Sequence, residues 1–280
     1  MISRRNLLKV AAPVILVPSA ALAITPGSGT RSTGASVNWS HPACRSLQFS
    51  TIQDGSVATT GAMFDIARKQ KGAATGTTTG GVLPWMGNII TLATTNHYNF
   101  ATRPPVVEQV ATFWFIIQLT TLAACDVLHT SNNASTGIGV EVSGTGALIL
   151  NLSGVQATTS TVLLSASIPY LVVISKSYTV MTVLSRRLDT GAIATQTTTT
   201  GTPTASNGTY AIGASSGANN ACNASYAAFA YSNSFMPVQT MVNLSSDPWG
   251  PWRPGPGLPF EEMVSGGTAA TGLPRLISVP

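Results

Sequence analysis

The acidic residues are the first place where this sequence could do chemistry. Retaining hydrolysis of a glycosidic bond needs two carboxyl groups about 5 Å apart, and acids at alternating positions of one strand would supply them. The chain has nine acidic residues, but no two of those between residues 37 and 252 lie within ten positions of each other. A distant pair can still meet in space, so a secreted polysaccharide hydrolase stays an alternative. We predict no catalytic residues and no enzyme.

The histidines and cysteines are also widely spaced, at His41, His97, His129, Cys44, Cys125 and Cys222. No Cys-x-x-Cys or Cys/His spacing indicates a metal site, and a Ser-His-Asp site would need unrelated loops to converge. We favour three buried, inert cysteines. If the protein is exported, one disulfide plus one free thiol is the alternative, and the spacing does not choose the pair.

The first 23 residues have the pattern of an export signal. Arg4 and Arg5 lie within Ser-Arg-Arg-x-Leu-Leu-Lys, an apolar run follows, and Ala-Leu-Ala ends at Ala23. A basic start, a short apolar run and a small-x-small end are typical of a secretory signal, and paired arginines are typical of twin-arginine export. We predict a signal-like segment over residues 1–23, the only part expected to touch a membrane, and a Gly/Ser/Thr-rich linker over 24–36.

The amino-acid composition favours one fold class and argues against nucleic acid as a partner. The formal net charge is +5, but Arg4, Arg5 and Lys9 belong to the signal-like segment, and the rest of the chain carries only +2. Nucleic-acid binding needs a concentrated basic face, so we predict none. Only 8% of residues are charged, and the abundance of Thr, Gly and Val favours an all-β protein.

Short apolar runs separated by turn residues predict the strands. Residues 113–120, "FWFIIQLT", predict a strand buried on both faces. Residues 138–142 and 147–152 predict a hairpin around a turn at 143–146. Further strands are predicted within 169–177, 178–196, 209–216 and 225–233, and one short helix is predicted at 237–245. This pattern favours a two-sheet antiparallel sandwich, with a β-barrel as the alternative.

Two motifs at the ends of this segment carry a family resemblance. "VNWSHPACRSL" (37–47) is similar to the Asn-Trp-Ser-His-Pro-Leu-Ala-Arg-Gly-Leu opening of laminin-G-like, concanavalin A-type domains of phage and prophage proteins. "NLSSDPWGPWRP" (243–254) resembles the Leu-x-x-Asn/Asp-Pro-Trp-x-x-Phe-x-Pro ending of those proteins, with Trp252 in place of Phe. The resemblance implies a jelly-roll domain over residues 37–252, and we expect an irregular Pro/Gly-rich tail over 253–280.

The resemblance also suggests ligand sites. Such domains often hold Ca²⁺ at a loop rim through Asp and Asn oxygens, and Asp126, Asn132 and Asn133 are the matching residues here. Glycan binding would need exposed aromatic side chains, and Trp85 and Tyr98 have loop-like surroundings in the sequence.

The remaining tryptophans are expected to have structural roles. Trp114 lies in the middle of a predicted strand and should be in the core. Trp39 and Trp249 belong to the two end motifs and should pack the termini together.

Two functions follow, and they differ in compartment. The first is a non-catalytic laminin-G-like module that serves as a structural or adhesive part of a phage or prophage particle, with glycans or other virion proteins as partners. The alternative is an exported glycan-binding protein of the bacterial periplasm or surface, which a working signal would favour. Virion modules of this kind are often multimeric, so an oligomer fits either function. Neither function requires a cofactor, apart from the Ca²⁺ option.

Overall fold

The computed structural model describes residues 37–53, 63–93, 95–101, 109–130, 137–152, 155–201, 210–214 and 220–253. Within these ranges the chain forms 17 β-strands, one α-helix and two short 3₁₀ helices. The strands pair antiparallel, which short apolar runs joined by tight turns predict.

Two sheets account for 15 of the strands. The eight-stranded sheet contains β1 (Leu47–Ile52), β5 (Thr79–Leu83), β6 (Gly87–Leu92), β8 (Val110–Leu119), β13 (Pro169–Ser177), β14 (Val180–Arg187), β15 (Ile193–Thr199) and β17 (Ala224–Ser232). The seven-stranded sheet contains β4 (Ala73–Thr75), β7 (His97–Phe100), β9 (Cys125–His129), β10 (Ile138–Val142), β11 (Ala147–Leu152), β12 (Val155–Leu163) and β16 (Tyr210–Ile212). A small hairpin joins β2 (Phe64–Asp65) to β3 (Gln70–Lys71).

The spatial order of the strands places the longest ones in the middle of the eight-stranded sheet. That order is β15-β14-β13-β8-β17-β6-β5, with β1 also paired to β17, and the seven-stranded sheet runs β12-β11-β10-β9-β16-β7-β4. The inner faces of the two sheets share one apolar core. The predicted two-sheet antiparallel sandwich is therefore confirmed, and the β-barrel alternative is wrong because the strands form two separate sheets.

Strand β8 shows how the sequence builds this core. Successive side chains of a strand point to opposite faces, so alternate residues share one side. Trp114 and Ile116 of β8 lie on the outer side of the eight-stranded sheet. The other set packs between the sheets, each residue at most 1% exposed, as predicted: Phe113, Phe115, Ile117 and Leu119.

The hairpin of β10 and β11 has the predicted limits and turn. The backbone N–H of Ser143 donates to Ala147 O at 2.8 Å, and the Gly146 N–H donates to Ser143 O at 2.9 Å. Gly146 has a φ of 86°, and a Cβ there would lie 2.0 Å from Leu164 O. Only glycine satisfies both conditions.

A third layer covers the outer face of the eight-stranded sheet. It consists of residues 37–46 and 236–253, which we call the terminal cap, and it contains helix α1 (Val238–Ser246) and the 3₁₀ helices Pro42–Cys44 and Gly250–Trp252. Cap and sheet form a second apolar core that includes Trp114, Leu171, Met241, Leu244, Trp249 and Trp252. The predicted helix is confirmed, with Pro237 at its N-cap.

Hydrogen bonds join the two halves of the terminal cap to each other and to the sheet. The Asn38 N–H donates to Pro251 O at 2.8 Å, and the Trp252 indole N–H donates to Ser50 Oγ at 2.8 Å. The guanidinium of Arg186 in β14 donates to Ser245 O at the end of α1. The two end motifs of the sequence therefore meet in space as one structural layer.

The cysteines differ from the favoured prediction. Cys125, at the start of β9, forms a disulfide with Cys222, which precedes β17. The prediction of three inert cysteines is therefore wrong, and the alternative of one disulfide and one free thiol is correct. The bridge closes a loop of 97 residues and links the two sheets. Cys44 is a free, buried thiol within the terminal cap, and burial raises its pKa to about 12.

Several predicted segments lie outside the described residues. These are the signal-like segment, the linker and all but the first residue of the predicted tail. In the described part of the chain, no helix has the length and apolar character needed to span a membrane.

Candidate functional site

The outer face of the seven-stranded sheet carries a row of polar and small residues. Residues directly opposite each other on neighbouring strands run from β7 through β16, β9, β10 and β11 to β12. We call this set the polar row: Asn99, Ala211, His129, Gly139, Asn151 and Gln156. Its neighbours along the strands, such as Tyr98, Leu128 and Leu150, point into the core, so the row points away from it. With strands about 4.8 Å apart, six strands span roughly 24 Å.

Exposure varies along the polar row. Its centre is buried, with His129 1% exposed and Asn151 6% exposed. Its ends are accessible, since Asn99 is half-buried and Gln156 is exposed. A ligand would therefore meet the row at its ends, and the β10–β12 end carries more polar groups.

That end contains a carboxylate held by two amides. Glu141 Oε1 accepts a hydrogen bond of 2.7 Å from Asn151 Nδ2, and Glu141 Oε2 accepts one of 3.4 Å from Gln156 Nε2. Glu141, Asn151 and Gln156 form what we call the carboxylate cluster. Ile149 and Thr158 lie next to it across the same strands. The Gln156 amide N–H donates to Glu141, and because Gln156 is exposed its carbonyl oxygen can accept a hydrogen bond from a ligand.

The fold also brings together two acids that lie far apart in the sequence. Glu141 of β10 is directly opposite Asp126 of β9. A β-bulge lies at this point of the pairing, and Asp126 is 6% exposed while Glu141 is half-buried. Burial, and after it the Asp126 charge, raises the pKa of the core residue Tyr226, so Asp126 lies near the core. The sequence spacing gave no sign of this pair, and only a correct pairing of β9 with β10 could have predicted it.

At the other end, His97 and Asn99 of β7 form a polar pair. His97 Nε2 lies 3.0 Å from Asn99 Nδ2, an arrangement in which the neutral imidazole accepts from the amide. His97 is 2% exposed, and desolvation lowers its pKa. The imidazole is therefore neutral at pH 7, and this end of the face carries dipoles rather than charge.

The centre of the polar row depends on a glycine. A Cβ at position 139 would lie 2.8 Å from His129 Cδ2 and 3.0 Å from His129 Nε2. The His129 ring thus occupies the space above Gly139, between β9 and β11. A glycine inside a strand often marks such a close approach.

The two aromatic residues predicted to contact a glycan, Trp85 and Tyr98, lie in different surroundings. Trp85 lies in the turn between β5 and β6, half-buried and with a φ of 66°. The loop placement of Tyr98 is wrong, because Tyr98 lies within β7, is fully buried and donates to Thr78 Oγ1 at 3.0 Å. Neither side chain belongs to the polar row.

The roles expected for the other tryptophans hold in part. Trp114 is fully buried and Trp249 is 9% exposed, and both belong to the apolar core between the eight-stranded sheet and the terminal cap. Trp39 does not pack the termini together, because it is 61% exposed in the turn that precedes the first 3₁₀ helix. The motif residue that fixes this turn is instead His41, whose Nδ1 accepts from the Ala43 N–H at 3.2 Å.

The expected calcium ligands are not assembled by the described residues. Asp126 is 6% exposed, and its backbone N–H donates to Asn220 O at 2.7 Å. Asn132 and Asn133 lie outside the described residues, as do the targeting residues Arg4, Arg5 and Ala23. No group of three or more His, Cys, Asp or Glu side chains in the described ranges could hold a metal ion.

One sequence pattern that could suggest a nucleophile needs its structural context. Residues 213–217 read Gly-Ala-Ser-Ser-Gly, which fits the Gly-x-Ser-x-Gly pattern. A nucleophile elbow requires a turn from a strand into a helix. The pattern begins directly after β16, its residues 215–217 lie outside the described residues, and the next described element is the strand β17.

Comparisons with known proteins give the fold and no family. No protein-family model and no curated protein sequence matches the chain. Among solved structures, the binding domain of Paraclostridial Mosquitocidal Protein 1 is similar with a TM-score of 0.56 and 11% identity, over 74% of this chain and 53% of that one. The binding domain of botulinum neurotoxin DC in complex with SialylT has a TM-score of 0.52 and 10% identity, over 72% and 51%.

A third solved structure matches over nearly its whole length. Domain 4 of AbnA, a GH43 extracellular arabinanase from Geobacillus stearothermophilus in complex with arabinotriose, has a TM-score of 0.52 and 10% identity, over 71% of this chain and 98% of that one. The chain spans about half the length of the two toxin domains. At this level of identity the likeness concerns the fold alone, which is the two-sheet antiparallel jelly-roll sandwich.

Proposed function

We propose that this protein is a non-catalytic carbohydrate-binding module that holds its ligand on the outer face of the seven-stranded sheet. The observation that carries the proposal is the carboxylate cluster, in which the half-buried Glu141 and the exposed Gln156 are accessible and the buried Asn151 holds Glu141 in place. Amide and carboxylate oxygens accept hydrogen bonds from hydroxyl groups, and a row of them across strands suits an extended chain of sugars.

The similar solved structures support this choice over other binding functions. Arabinotriose is bound to the arabinanase domain, and the toxin structures are binding domains of the same sandwich fold. A fold by itself hosts many functions, so the proposal depends on the cluster and on its test.

The biological setting is the less direct part of the proposal. The end motifs favour a structural or adhesive module of a phage or prophage particle. The disulfide and the signal-like segment favour the alternative, an exported glycan-binding protein, because disulfides persist in oxidising compartments. Intact mass from the native source separates the two settings: a chain beginning at Ile24 outside the cytoplasm means export, and a chain beginning at Met1 in particles means a virion component.

The binding function is tested by glycan screening followed by titration calorimetry on variants. Gln156→Ala removes an exposed donor and acceptor of the cluster and should weaken binding of the selected glycan about tenfold. Thr195→Ala, at an exposed position of β15 in the other sheet, is the matched control and should leave the Kd unchanged. Equal affinities for all three proteins, or no bound glycan in the screen, would contradict the proposal.

The non-catalytic part has its own readout. Incubation of the wild-type protein with the selected oligosaccharide should leave its chain length unchanged over a day. Shortened products that disappear in Glu141→Gln would show that Glu141 takes part in hydrolysis of glycosidic bonds.

A further inference from the structure

The strands of the seven-stranded sheet carry an unusual distribution of charge. Their described residues include no lysine and no arginine, but they include two acids, Asp126 and Glu141. The two acids lie on neighbouring strands at a β-bulge, and Asp126 is only 6% exposed, so Glu141 is the accessible acid of this face.

No cation neutralises Glu141 among the described residues. The ion pairs there are Arg187 with Asp189, at 2.7 Å, and Arg253 with Asp247, at 3.1 Å, and both lie away from the seven-stranded sheet. Glu141 is instead held by the two amides of the carboxylate cluster. Its negative charge therefore remains at the accessible end of the face.

The hydrogen-bond acceptors beside Glu141 favour the same ligands as its negative charge does. The exposed Gln156 donates its amide N–H to Glu141, so its acceptor oxygen lies beside the carboxylate. Such a surface attracts donors. It repels carboxylate, sulfate and phosphate, which bring acceptors and negative charge without a cation to receive them.

We infer that this face selects uncharged glycans and rejects acidic ones, with Glu141 as the residue that determines the difference. The inference rests on the proposed function and narrows it to a ligand class: hydroxyl-rich, neutral oligosaccharides rather than sialylated, uronic or sulfated ones. Specificity here comes from a repulsive element as well as from attractive contacts.

The test uses pairs of glycans that differ by an acid, namely lactose with sialyllactose and digalactose with digalacturonic acid. Titration calorimetry at 50 mM salt should give the neutral member of a bound pair a Kd at least about tenfold lower than the acidic member. Raising the salt to 500 mM should reduce that ratio, because screening shortens the range of the repulsion.

Two charge-matched variants decide whether the discrimination comes from this face. Glu141→Gln should reduce the ratio of the two Kd values to below about threefold. Asp247→Asn removes one negative charge from the terminal cap instead and should leave the ratio unchanged. Tighter binding of the acidic member, or an unchanged ratio in Glu141→Gln, would overturn the inference. Binding of no glycan in either pair or in the screen would overturn the proposed function itself, and the inference with it.

Discussion

The two outer faces of the sandwich have opposite chemistry. The outer face of the eight-stranded sheet is apolar, and the terminal cap buries it. The outer face of the seven-stranded sheet carries amides, imidazoles and the Glu141 carboxylate, with accessible polar groups at its ends. The first face contributes to stability by removing apolar surface from water, and the second is the one with groups available to a ligand.

The difference is already present in the strands themselves. β8 is apolar on both sides because the terminal cap covers the side that does not face the other sheet. β10, "IGVEV", alternates Ile138, Val140 and Val142 toward the core with Gly139 and Glu141 away from it. A strand that is apolar throughout, like β8, indicates that both faces of its sheet are covered. A strand that alternates apolar with polar or small residues, like β10, indicates that its outer face is not covered by an apolar layer.

The largest effect is expected where the terminal cap meets the sheet. Trp114→Ala should lower the free energy of unfolding by about 3–5 kcal/mol, because Trp114 is fully buried and its removal leaves a cavity. Urea denaturation measures the change. Trp39→Ala is the matched control, and its effect should stay within about 0.5 kcal/mol because Trp39 is 61% exposed. Equal losses in the two variants would mean that the terminal cap is not a packed layer.

The next largest effect is expected at the centre of the polar row. Gly139→Ala should cost about 1–3 kcal/mol, because the new Cβ displaces the His129 ring. The same measurement on Gly144→Ala is the control, since the nearest atom to a Cβ there is 4.0 Å away. A neutral Gly139→Ala variant would show that His129 does not lie over the strand.

A smaller effect is expected from pH, and it involves one histidine on each face. Desolvation lowers the pKa of His41 in the terminal cap and of His97 beside the polar row, while the Asp247 charge partly opposes the shift of His41. Both groups fold in the neutral form, so their contribution to stability is present above their ordinary pKa of 6.5 and is lost as pH falls through the lower folded values.

The corresponding measurement is urea denaturation at several pH values between 5 and 8. The free energy of unfolding should fall below pH 6.5, and His97→Gln should flatten that fall because glutamine does not titrate. A wild-type protein that becomes more stable as pH falls from 6.5 to 5 would contradict the assignment of neutral imidazoles.

The smallest effect is expected beyond the terminal cap. A chain that ends after Trp252 should remain folded, with a loss below about 1 kcal/mol, because the pair of Arg253 with Asp247 is exposed. Size-exclusion chromatography and thermal denaturation check this. Aggregation of the shortened chain would mean that residues after Trp252 are needed to keep the terminal cap packed.

Local patterns were sufficient for much of the fold. The hairpin of β10 and β11, the strand β13 and the core side of β8 follow from alternation and turn residues within short stretches. The strands between residues 47 and 100 were not predicted individually, because several are only two to six residues long and carry few apolar side chains.

The predictions that were wrong or missing depend on how distant parts of the chain are arranged in the fold. Tyr98 lies next to polar residues in the sequence, and only its position within β7 shows that it points into the core. The disulfide joins residues 97 positions apart, and the carboxylate cluster joins three strands. None of these contacts has a local sequence pattern, because each depends on which strands become neighbours.

The central claim is that the ligand lies on the outer face of the seven-stranded sheet. The most direct test is methyl NMR of protein labelled at isoleucine and methionine, titrated with the glycan chosen by screening. We expect the largest shift at Ile149, which lies beside Glu141 on that face, and none at Met241, which is buried in the terminal cap on the opposite side of the sandwich. Shifts that occur at Met241 and leave Ile149 unchanged would contradict it.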